Sequence, residues 1–332
     1  ASIELSQLQG DPNIWRNGWQ ENGARSYYFI GKDNIPFHAI IWPAQLIGMG
    51  SELDEILGSE QPKPLILPYD VPANEFMNIE AQKISGSRNW AVWGSDFLTR
   101  YDPDALRYYL TVQMPESKDT DWDWDDFFHR NNDELVATWG NLANRVLSFA
   151  YKHWQGVLPD PGELTTLDED LLRQIEDGFK TVGAEIEAVH LRAALAEAMR
   201  LASEVNRYLD ITAPWQMVKT DKAAAGRAIY TALKAIDSLK ILFAPFLPFT
   251  SDRLNGFLGY EGSLFGTQST ETIKDSLGEH TVLRYDHTGA TGRWEPSQLE
   301  AGQNFLQPQP LFRKLDIQIV EEERARLGKP RE

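Results

Sequence analysis

The first candidate site lies where a predicted strand gives way to a helix, in residues 29–38, FIGKDNIPFH. The pattern predicts a short buried strand over residues 26–30, with Gly31 as the turn that ends it. Asp33 and His38 follow at the carboxyl end of the strand, which is where ligands bind in open α/β sheets. One interpretation is therefore a nucleotide site. A turn glycine, a helix-capping aspartate and a core histidine would explain the same residues without a ligand.

The second candidate site is the polar segment KISGSR, residues 83–88. Its Ser, Gly and Ser residues leave backbone amides accessible to phosphate oxygens, while Lys83 and Arg88 add positive charge. This combination favours a polyanionic ligand. Short motifs also occur by chance, and a flexible polar loop explains the segment equally well.

The third candidate site combines WGNLANR, residues 139–145, with a later Ala-Pro-Trp that ends at Trp215. Asn141 and Arg145 are spaced i and i+4 on a predicted helix. Asparagine offers a donor and an acceptor to a base edge, and arginine can stack on a base or bond to it, which suits unpaired RNA. The same pair is also ordinary surface. Trp215 is interpreted either as a stacking platform or as a core side chain.

The elements that must position these residues change character near residue 120. Upstream, strands alternate with helices: a strand at 26–30, a helix at 38–49, a strand at 65–67, a Pro- and Gly-punctuated loop through Gly86, and a helix at 105–112 capped by Asp102-Pro103-Asp104. Downstream, helical spacing predicts one long helix on Phe128, Leu135, Trp139, Leu142, Val146 and Phe149, then helices at 188–209, at 222–243 and after Pro248. Residues 259–302 are predicted to form an extended wrap. This pattern indicates an α/β domain followed by a helix bundle.

Composition limits the class of protein. A chain of 332 residues can form two domains, and 42% hydrophobic residues argue for a folded globular protein. No run approaches the roughly 20 apolar residues that a membrane span needs, so we expect no membrane partner and a cytoplasmic location. Because the chain has no cysteine, it contains no disulfide and no thiolate metal site. The six scattered histidines offer little for metal binding.

The charge distribution is uneven. The net charge of −17 opposes a nucleic-acid partner, because phosphate contacts usually come from a basic surface. Residues 116–134 hold eight acidic and two basic side chains, whereas residues 190–240 hold eight Lys or Arg against five Asp or Glu. The second region is compatible with RNA.

Four segments, taken together, resemble the methionyl-tRNA synthetases, a family of class I aminoacyl-tRNA synthetases, in order and spacing. They are FIGKDNIPFHAIIWPAQLIG, KISGSRNWAVWGSDFL, RNNDELVATWGNLANRVLSF and NRYLDITAPW. The closing PLFRKLDIQIVEEERARLG is similar to the family's C-terminal wrap. The resemblance implies the C-terminal half of a Rossmann-type class I catalytic domain over residues 1–118 and an anticodon-binding helix bundle over 119–258. It further implies an extended segment and helix that pack back on the bundle over 259–332.

The resemblance implies ATP-dependent activation of methionine and its transfer to tRNA(Met), in an enzyme that is a monomer when intact. It places Gly31 and Asp33 near the adenylate ribose. The residues that it assigns to the methionine pocket are Phe37, His38 and Trp42, in keeping with recognition of a thioether by aromatic contact. Those that it assigns to the CAU anticodon are Asn141, Arg145 and Trp215.

KISGS takes the place of the family's KMSKS loop. The resemblance therefore implies that this loop binds ATP, with its Mg²⁺, through Lys83, Ser85, Gly86, Ser87 and Arg88. Lys83 would neutralise the phosphates during attack by the methionine carboxylate. Gly86 departs from the pattern, since the family has a second lysine there. Either Arg88 compensates for the missing charge or activation is slower.

Two family features do not occur in this sequence: the HIGH signature and the inserted domain with its zinc knuckle. Zinc is therefore expected only outside this chain. The opening Ala-Ser-Ile-Glu-Leu resembles the stretch that follows the family's Asp-Ala-Pro segment, so we expect a fragment that does not turn over alone. Two alternatives remain: a stand-alone tRNA-binding module, and another class I synthetase for an aliphatic amino acid.

Overall fold

The computed structural model describes residues 10–20, 23–56, 63–275 and 278–329, and the opening Ala-Ser-Ile-Glu-Leu lies outside them. The chain divides into two compact units. The first runs to Asn78 and includes Met114–Asp121; the second comprises Ile79–Gln113 and the chain from Trp122 onward. The candidate residues between 29 and 42 therefore belong to the first unit, and the remaining candidates belong to the second.

A short parallel strand pair organises the first unit. Strand β1 (Ile30–Gly31) pairs with β2 (Ala73–Asn74). The strand predicted at 26–30 is confirmed in extent but not in burial. Tyr27 also bridges Asp70 in parallel, and the Tyr28 N–H donates to the Asp70 carbonyl at 3.1 Å, but Phe29 is 58% exposed. Its side chains alternate too little between apolar and polar faces to mark which residues pair.

The second predicted strand, at 65–67, is wrong. Ile66 instead donates its backbone N–H to the carbonyl of Trp19, the last residue of the short helix α1 (Arg16–Trp19). Gly31 is not a turn residue either. It has an extended backbone, with φ −83° and ψ 152°, and the chain turns in the 3₁₀ segment Lys32–Asn34 that follows.

The helix predicted at 38–49 is confirmed, with a different beginning. A π-helical turn, Phe37–Ile41, leads directly into α2 (Trp42–Ile56). The wide turn lies immediately before Pro43, which has no N–H to donate to the preceding turn. Candidate side chains of the first unit therefore lie on the irregular first turns of a helix.

Three short strands interrupt the loop predicted before Gly86. They are β2, β3 (Met77–Ile79) and β4 (Gln82–Lys83), and a later strand, β5 (Thr120–Trp122), completes a sheet of order β4-β3-β5. Helices α3 (Gly94–Phe97) and α4 (Pro103–Val112) follow β4 along the chain. The cap predicted for α4 is confirmed, since the Asp102 carboxylate accepts a hydrogen bond from the backbone N–H of Asp104. The aromatic core of this region consists of Phe97, Tyr109, Trp122, Trp124 and Phe127.

The long helix predicted downstream is confirmed as one helical run. It comprises α5 (Trp124–His129), a π-helical segment (Arg130–Gly140) and α6 (Asn141–Trp154). Four of the predicted stripe residues are buried, namely Leu135, Trp139, Leu142 and Val146. The π segment ends at Gly140, where an added Cβ would lie 2.9 Å from the Phe312 ring. The π-helical turns therefore end directly before the candidate residue Asn141.

The described bundle contains two helices that the sequence pattern did not predict, one of 22 residues and one of 4 residues. Its helices are α7 (Thr166–Glu187), α8 (Leu191–Thr212), α9 (Pro214–Met217), α10 (Lys222–Phe243) and α11 (Pro248–Phe257). The helices predicted at 222–243 and after Pro248 are confirmed, and the one predicted at 188–209 lies three residues later. Helix α7 was missed, although Thr165 and Asp168 form a capping box at its start.

The extended wrap predicted at 259–302 is wrong for its central part. Strands β6 (Thr267–Asp275) and β7 (Gly278–Asp286) form an antiparallel hairpin there. After the hairpin the chain does cross the bundle, where Trp294 donates its indole N–H to the Phe179 carbonyl at 3.0 Å. A final helix, α12 (Gln318–Arg324), precedes the end of the described chain. Among the described helices, none has the length and hydropathy to cross a membrane.

Candidate functional site

In the first unit, two of the residues predicted to bind methionine contact the same tyrosine. The Trp42 indole donates a hydrogen bond to the Tyr28 hydroxyl at 2.9 Å, and the His38 ring lies 5.6 Å from the Tyr28 ring. His38 Nδ1 is 3.1 Å from the carbonyl of Asn34, which fixes the imidazole orientation. His38 is half-buried rather than a core residue. Phe37 has 53% of its surface exposed.

Gly31 and Asp33 flank a lysine that is already neutralised. Lys32 forms an ion pair with Glu75 and a second one with Asp119 at 3.1 Å, and its hydrogen bond to Glu75 raises the pKa of the ammonium. Asp33 is exposed, and it caps no helix, because it lies inside the 3₁₀ segment. The helix-capping alternative is therefore wrong for Asp33. Gly31 is half-buried at the end of β1.

The KISGSR segment forms a closed turn rather than an open loop. Ser85 and Trp90 exchange both backbone hydrogen bonds at 2.9 Å, so the turn between them has a defined base. Inside it, the Ser85 and Ser87 hydroxyls lie 3.3 Å apart. Arg88 donates a hydrogen bond to the Lys83 carbonyl at 3.3 Å, which carries its guanidinium back toward the start of the turn. Both cationic side chains are exposed.

The downstream end of this turn is anchored by three hydrogen bonds. Asn89 has a left-handed backbone, with φ 49°, and its carbonyl accepts the N–H of Gly328 at 3.0 Å. Its side chain accepts the Trp93 indole N–H at 2.7 Å and donates to the Lys329 carbonyl. Asparagine tolerates this conformation better than other non-glycine residues, and these hydrogen bonds hold it here. The C-terminal segment therefore fixes the turn.

Helix α12 carries that C-terminal segment. Glu323 is 3% exposed and accepts hydrogen bonds from Arg100 at 2.8 Å and from the Tyr101 hydroxyl at 2.9 Å. Arg324 forms ion pairs with Glu80 at 2.9 Å and with Asp125 at 2.7 Å, and both raise its pKa. These contacts fix α12 to the elements on either side of the KISGSR turn.

In the second unit, two of the predicted anticodon-binding residues, Arg145 and Trp215, contact each other. The Arg145 guanidinium lies 4.7 Å from the centre of the Trp215 ring, a cation–π distance. Arg145 also donates a hydrogen bond to the side-chain oxygen of Asn206 at 3.2 Å. The Asn206 amide donates to the carbonyls of Thr138 and Ala202, which leaves its oxygen directed at Arg145. Asn206 is a site residue that the sequence analysis missed, although it opens the segment NRYLDITAPW.

A strained backbone positions Trp215. Ala213 has φ 40° and ψ 52°, a left-handed conformation between α8 and α9, and the buried Pro214 follows it. Trp215 is half-buried and contacts Phe149 edge-on at 5.1 Å. It is therefore not a core side chain. One part of the ring is available for stacking while Arg145 and Phe149 hold the rest.

Asn141 lines a cavity beside this cluster. The cavity has a volume of about 330 Å³ and is lined by Ala137, Asn141, Leu142, Asn144, Arg145 and Asn206. A second cavity, of about 530 Å³, shares Asn141 and Asn144 and is also lined by Phe312. Amide groups and the Arg145 cation line a space that can take an unpaired base, and Arg145 connects this space to the Trp215 ring, which can stack on a base.

Two protein-family models together match most of the chain. The family model described as tRNA synthetases class I (M) matches residues 1–147, and the model described as anticodon binding domain of methionyl tRNA ligase matches residues 158–286. A methionine–tRNA ligase of Thermomicrobium roseum is 51% identical over 329 residues, covering 98% of this chain and 54% of the relative. One of Chloroflexus aurantiacus is 49% identical over 331 residues, covering 98% and 55%. The chain thus spans about half the length of the curated relatives it matches.

Among solved structures, the chain is similar in fold to methionyl-tRNA synthetase of Mycobacterium tuberculosis bound by methionyl-adenylate. The TM-score is 0.67 at 22% identity, covering 87% of this chain and 50% of that one. The free-state structure of the same protein gives a TM-score of 0.65.

The matched segments are those of the class I aminoacyl-tRNA synthetases: a class I catalytic segment is followed by a helical anticodon-binding domain. Within that class, the anticodon model is specific to the methionine enzymes, which excludes a synthetase for another aliphatic amino acid. The chain belongs to the methionyl-tRNA synthetase family.

Proposed function

We propose that this chain acts in methionine–tRNA ligation, in which ATP activates methionine to methionyl-adenylate and the methionyl group is transferred to tRNA(Met). The observation that carries the proposal is the cluster of Arg145, Trp215 and Asn206 beside the cavity at Asn141. Stacking combined with directed hydrogen bonds is how proteins recognise unpaired bases. The names of the relatives support methionine as the amino acid.

The domain assignment is part of the proposal. Residues 1–118 form part of the catalytic domain, residues 119–258 bind the anticodon, and residues 259–332 pack back on the bundle. The protein acts as a cytoplasmic monomer when intact. Phe37, His38 and Trp42 contact the methionine side chain, an assignment supported by the aromatic cluster around Tyr28.

In the activation step, a methionine carboxylate oxygen bonds to the α-phosphorus of ATP and pyrophosphate leaves. Gly31 and Asp33 hold the ribose, while Lys83 and Arg88 offset the charge that develops on the phosphates. Ser85, Gly86 and Ser87 supply backbone and hydroxyl donors around the turn. Such a reaction gains mainly from positioning and charge stabilisation, and an exposed, closed turn with two cations fits that task.

Metal ions enter this scheme only with the substrate, as Mg²⁺ on ATP. In the described part of the chain, no group of three or more His, Asp or Glu side chains could hold an ion. With no cysteine, the chain also offers no thiolate to zinc.

Two substitutions should separate the two halves of the reaction. We propose a full-length chimera in which this chain replaces the matching residues of the Thermomicrobium roseum ligase. Lys83→Ala should lower adenylate formation, measured by pyrophosphate exchange, at least about 100-fold, the order of one lost oxyanion-stabilising group. Trp215→Ala should weaken aminoacylation and leave pyrophosphate exchange unchanged.

Two outcomes would contradict these roles. Unchanged exchange in Lys83→Ala would remove Lys83 from the ATP site, and an equal loss of both activities in Trp215→Ala would make Trp215 structural. If the chain bound tRNA(Met) selectively but the chimera formed no adenylate, a tRNA-binding module without ligase activity would be the better description.

A further inference from the structure

A strip of aromatic rings continues from the anticodon cluster toward the end of α6. From Trp215 it passes to Phe149 at 5.1 Å, then to His153 at 4.4 Å, and His153 lies 6.1 Å from Trp154. All four residues are half-buried, so each has part of its ring accessible. We call Phe149, His153 and Trp154 the α6 strip. No role in the reaction proposed above uses it.

Helix geometry places the strip in line with Arg145. Arg145, Phe149 and His153 are spaced i, i+4 and i+8 on α6, which puts them on one face. Trp154 closes the far end, where an added Cβ on Gly226 of α10 would lie 3.4 Å from its ring. Successive ring contacts therefore connect the stacked Arg145–Trp215 pair to Trp154, which lies at the end of α6.

The charge around the strip is positive, although the chain as a whole carries −17. Burial lowers the pKa of His153, and the nearby Lys152 and Lys222 lower it further. The Lys222 ammonium lies 5.7 Å from the centre of the Trp154 ring. Both lysines are exposed, so they can meet a phosphate as well as affect the histidine.

His153 is neutral above its lowered pKa, so its imidazole offers one N–H donor and one acceptor. Across the described ranges, neither ring nitrogen of His153 has a hydrogen-bond partner within the chain. A half-buried ring with unused nitrogens, set between two aromatic rings and two lysines, is suited to a base that stacks and bonds at once.

We propose that the α6 strip is a nucleotide subsite for an unpaired base next to the anticodon triplet, with Lys152 and Lys222 at the adjoining phosphate. The ligand is a ribonucleotide of the same single-stranded loop that Trp215 binds. This inference rests on the proposed function, because it assumes that Arg145 and Trp215 hold the triplet. It extends the recognised RNA beyond the three anticodon bases.

The test uses the whole chain and anticodon-arm RNAs of tRNA(Met) in which each loop position in turn is abasic. Wild-type affinity should fall within the triplet and also at one flanking position. His153→Ala should bind the unmodified RNA at least about five-fold more weakly, the lower end of what one stacked base contributes. It should also become indifferent to the abasic change at the flanking position, while keeping its response within the triplet.

Two further variants separate binding from packing. His153→Phe keeps a ring between Phe149 and Trp154, so it should retain part of the flanking response. His129→Ala removes a histidine of the same helical run that also lies against a phenylalanine, with rings 5.2 Å apart, and should keep the wild-type profile. A loss in His153→Ala spread evenly over all loop positions, or no loss at all, would overturn the subsite.

The same experiment distinguishes failure of the subsite from failure of the proposed function. If Trp215→Ala abolishes the response within the triplet but His153→Ala matches wild type, only the α6 strip is rejected. If wild type responds to no loop position and Trp215→Ala changes nothing, both the anticodon site and the strip are rejected.

Discussion

Gly86 is the residue at which this chain departs from the KMSKS pattern, and its surroundings leave room for a side chain. An added Cβ would meet only the end of the Trp93 ring, at 3.8 Å, and Gly86 does not have the left-handed φ that favours glycine. The turn geometry therefore does not require this glycine. Glycine in place of the second lysine of KMSKS instead removes one positive charge from the turn, and Arg88 lies two residues away.

Restoring that lysine should speed activation. In the chimera, Gly86→Lys adds a cation to the turn that already carries Lys83 and Arg88, so pyrophosphate exchange should rise by about 10-fold or more. Gly86→Ala tests the backbone alone and should leave the rate unchanged. An equal effect of both substitutions would mean that backbone freedom, and not charge, is what the position contributes.

Asp104 is a buried carboxylate whose ionisation should make stability depend on pH. Its Oδ2 accepts the Thr250 N–H at 2.6 Å and the Thr250 hydroxyl at 2.7 Å, while among the described residues Oδ1 has no donor. Burial raises the pKa of Asp104 above its ordinary value of 3.8. The folded state therefore keeps this proton at pH values where the unfolded chain has lost it, and stability falls as pH rises through that window.

Asp104→Asn should remove that dependence. The free energy of unfolding of the variant, minus that of wild type, should become more positive as pH rises from about 4, and should level off above the raised pKa of Asp104. Urea denaturation across this pH range measures the difference directly. A constant difference at all pH values would show that Asp104 ionises equally in the folded and unfolded chain.

Single residues differ in how far the sequence reveals their roles. Asn141, Arg145 and Trp215 can be proposed from short segments, because each segment resembles a family motif. Asn206 cannot, since its role comes from a contact with Arg145 that spans 61 residues and depends on how α6 crosses α8. Motifs identify candidate residues, but only the packing identifies their partners.

Among the elements, α12 is the one that most directly supports a predicted site. Glu323 joins it to Arg100 and Tyr101, and the residues after it hold Asn89 at the end of the KISGSR turn. The C-terminal helix and the turn should therefore loosen together.

Glu323→Gln should loosen both α12 and the KISGSR turn. Removing one partner of a buried ion pair lowers the free energy of unfolding by about 3 kcal/mol at the low end of the usual range. The low end applies here because the Arg100 side chain is 23% exposed and keeps its ion pair with Asp96. Amide hydrogen exchange should then accelerate by up to about 100-fold in residues 85–90 and 318–329. Glu322→Gln, at an exposed position on the same helix, should leave exchange unchanged. Faster exchange in 318–329 alone would separate the turn from α12.

Long helices could be predicted from the sequence, and most of the short strands and their pairings could not. Helix α10 coincides with its predicted range because its apolar residues repeat with helical period over 22 residues. Strand β1 has two residues, and its partner β2 lies more than 40 residues away along the chain, so local periodicity carries no information about the pair. The hairpin β6–β7 was missed because threonine, glutamate and lysine give β6 no apolar face.

At the scale of the whole molecule, an acidic chain carries cations beside the aromatic residues where RNA is proposed to bind. The net charge is −17, yet Arg145, Lys152 and Lys222 surround the aromatic residues from Trp215 to Trp154. The acidic groups elsewhere should repel phosphate and restrict RNA to this surface. The net charge alone would exclude the partner that the local arrangement favours.

The most direct test is a binding measurement on the chain as it stands. Anticodon-arm RNAs carrying CAU, or CAU with one base changed, are titrated against wild type and Trp215→Ala. Wild type should prefer CAU by at least about 10-fold, within the range that stacking and base contacts supply, and Trp215→Ala should lose most of that preference while keeping its fold. Equal affinity of wild type for all the RNAs would contradict anticodon recognition by Asn141, Arg145 and Trp215.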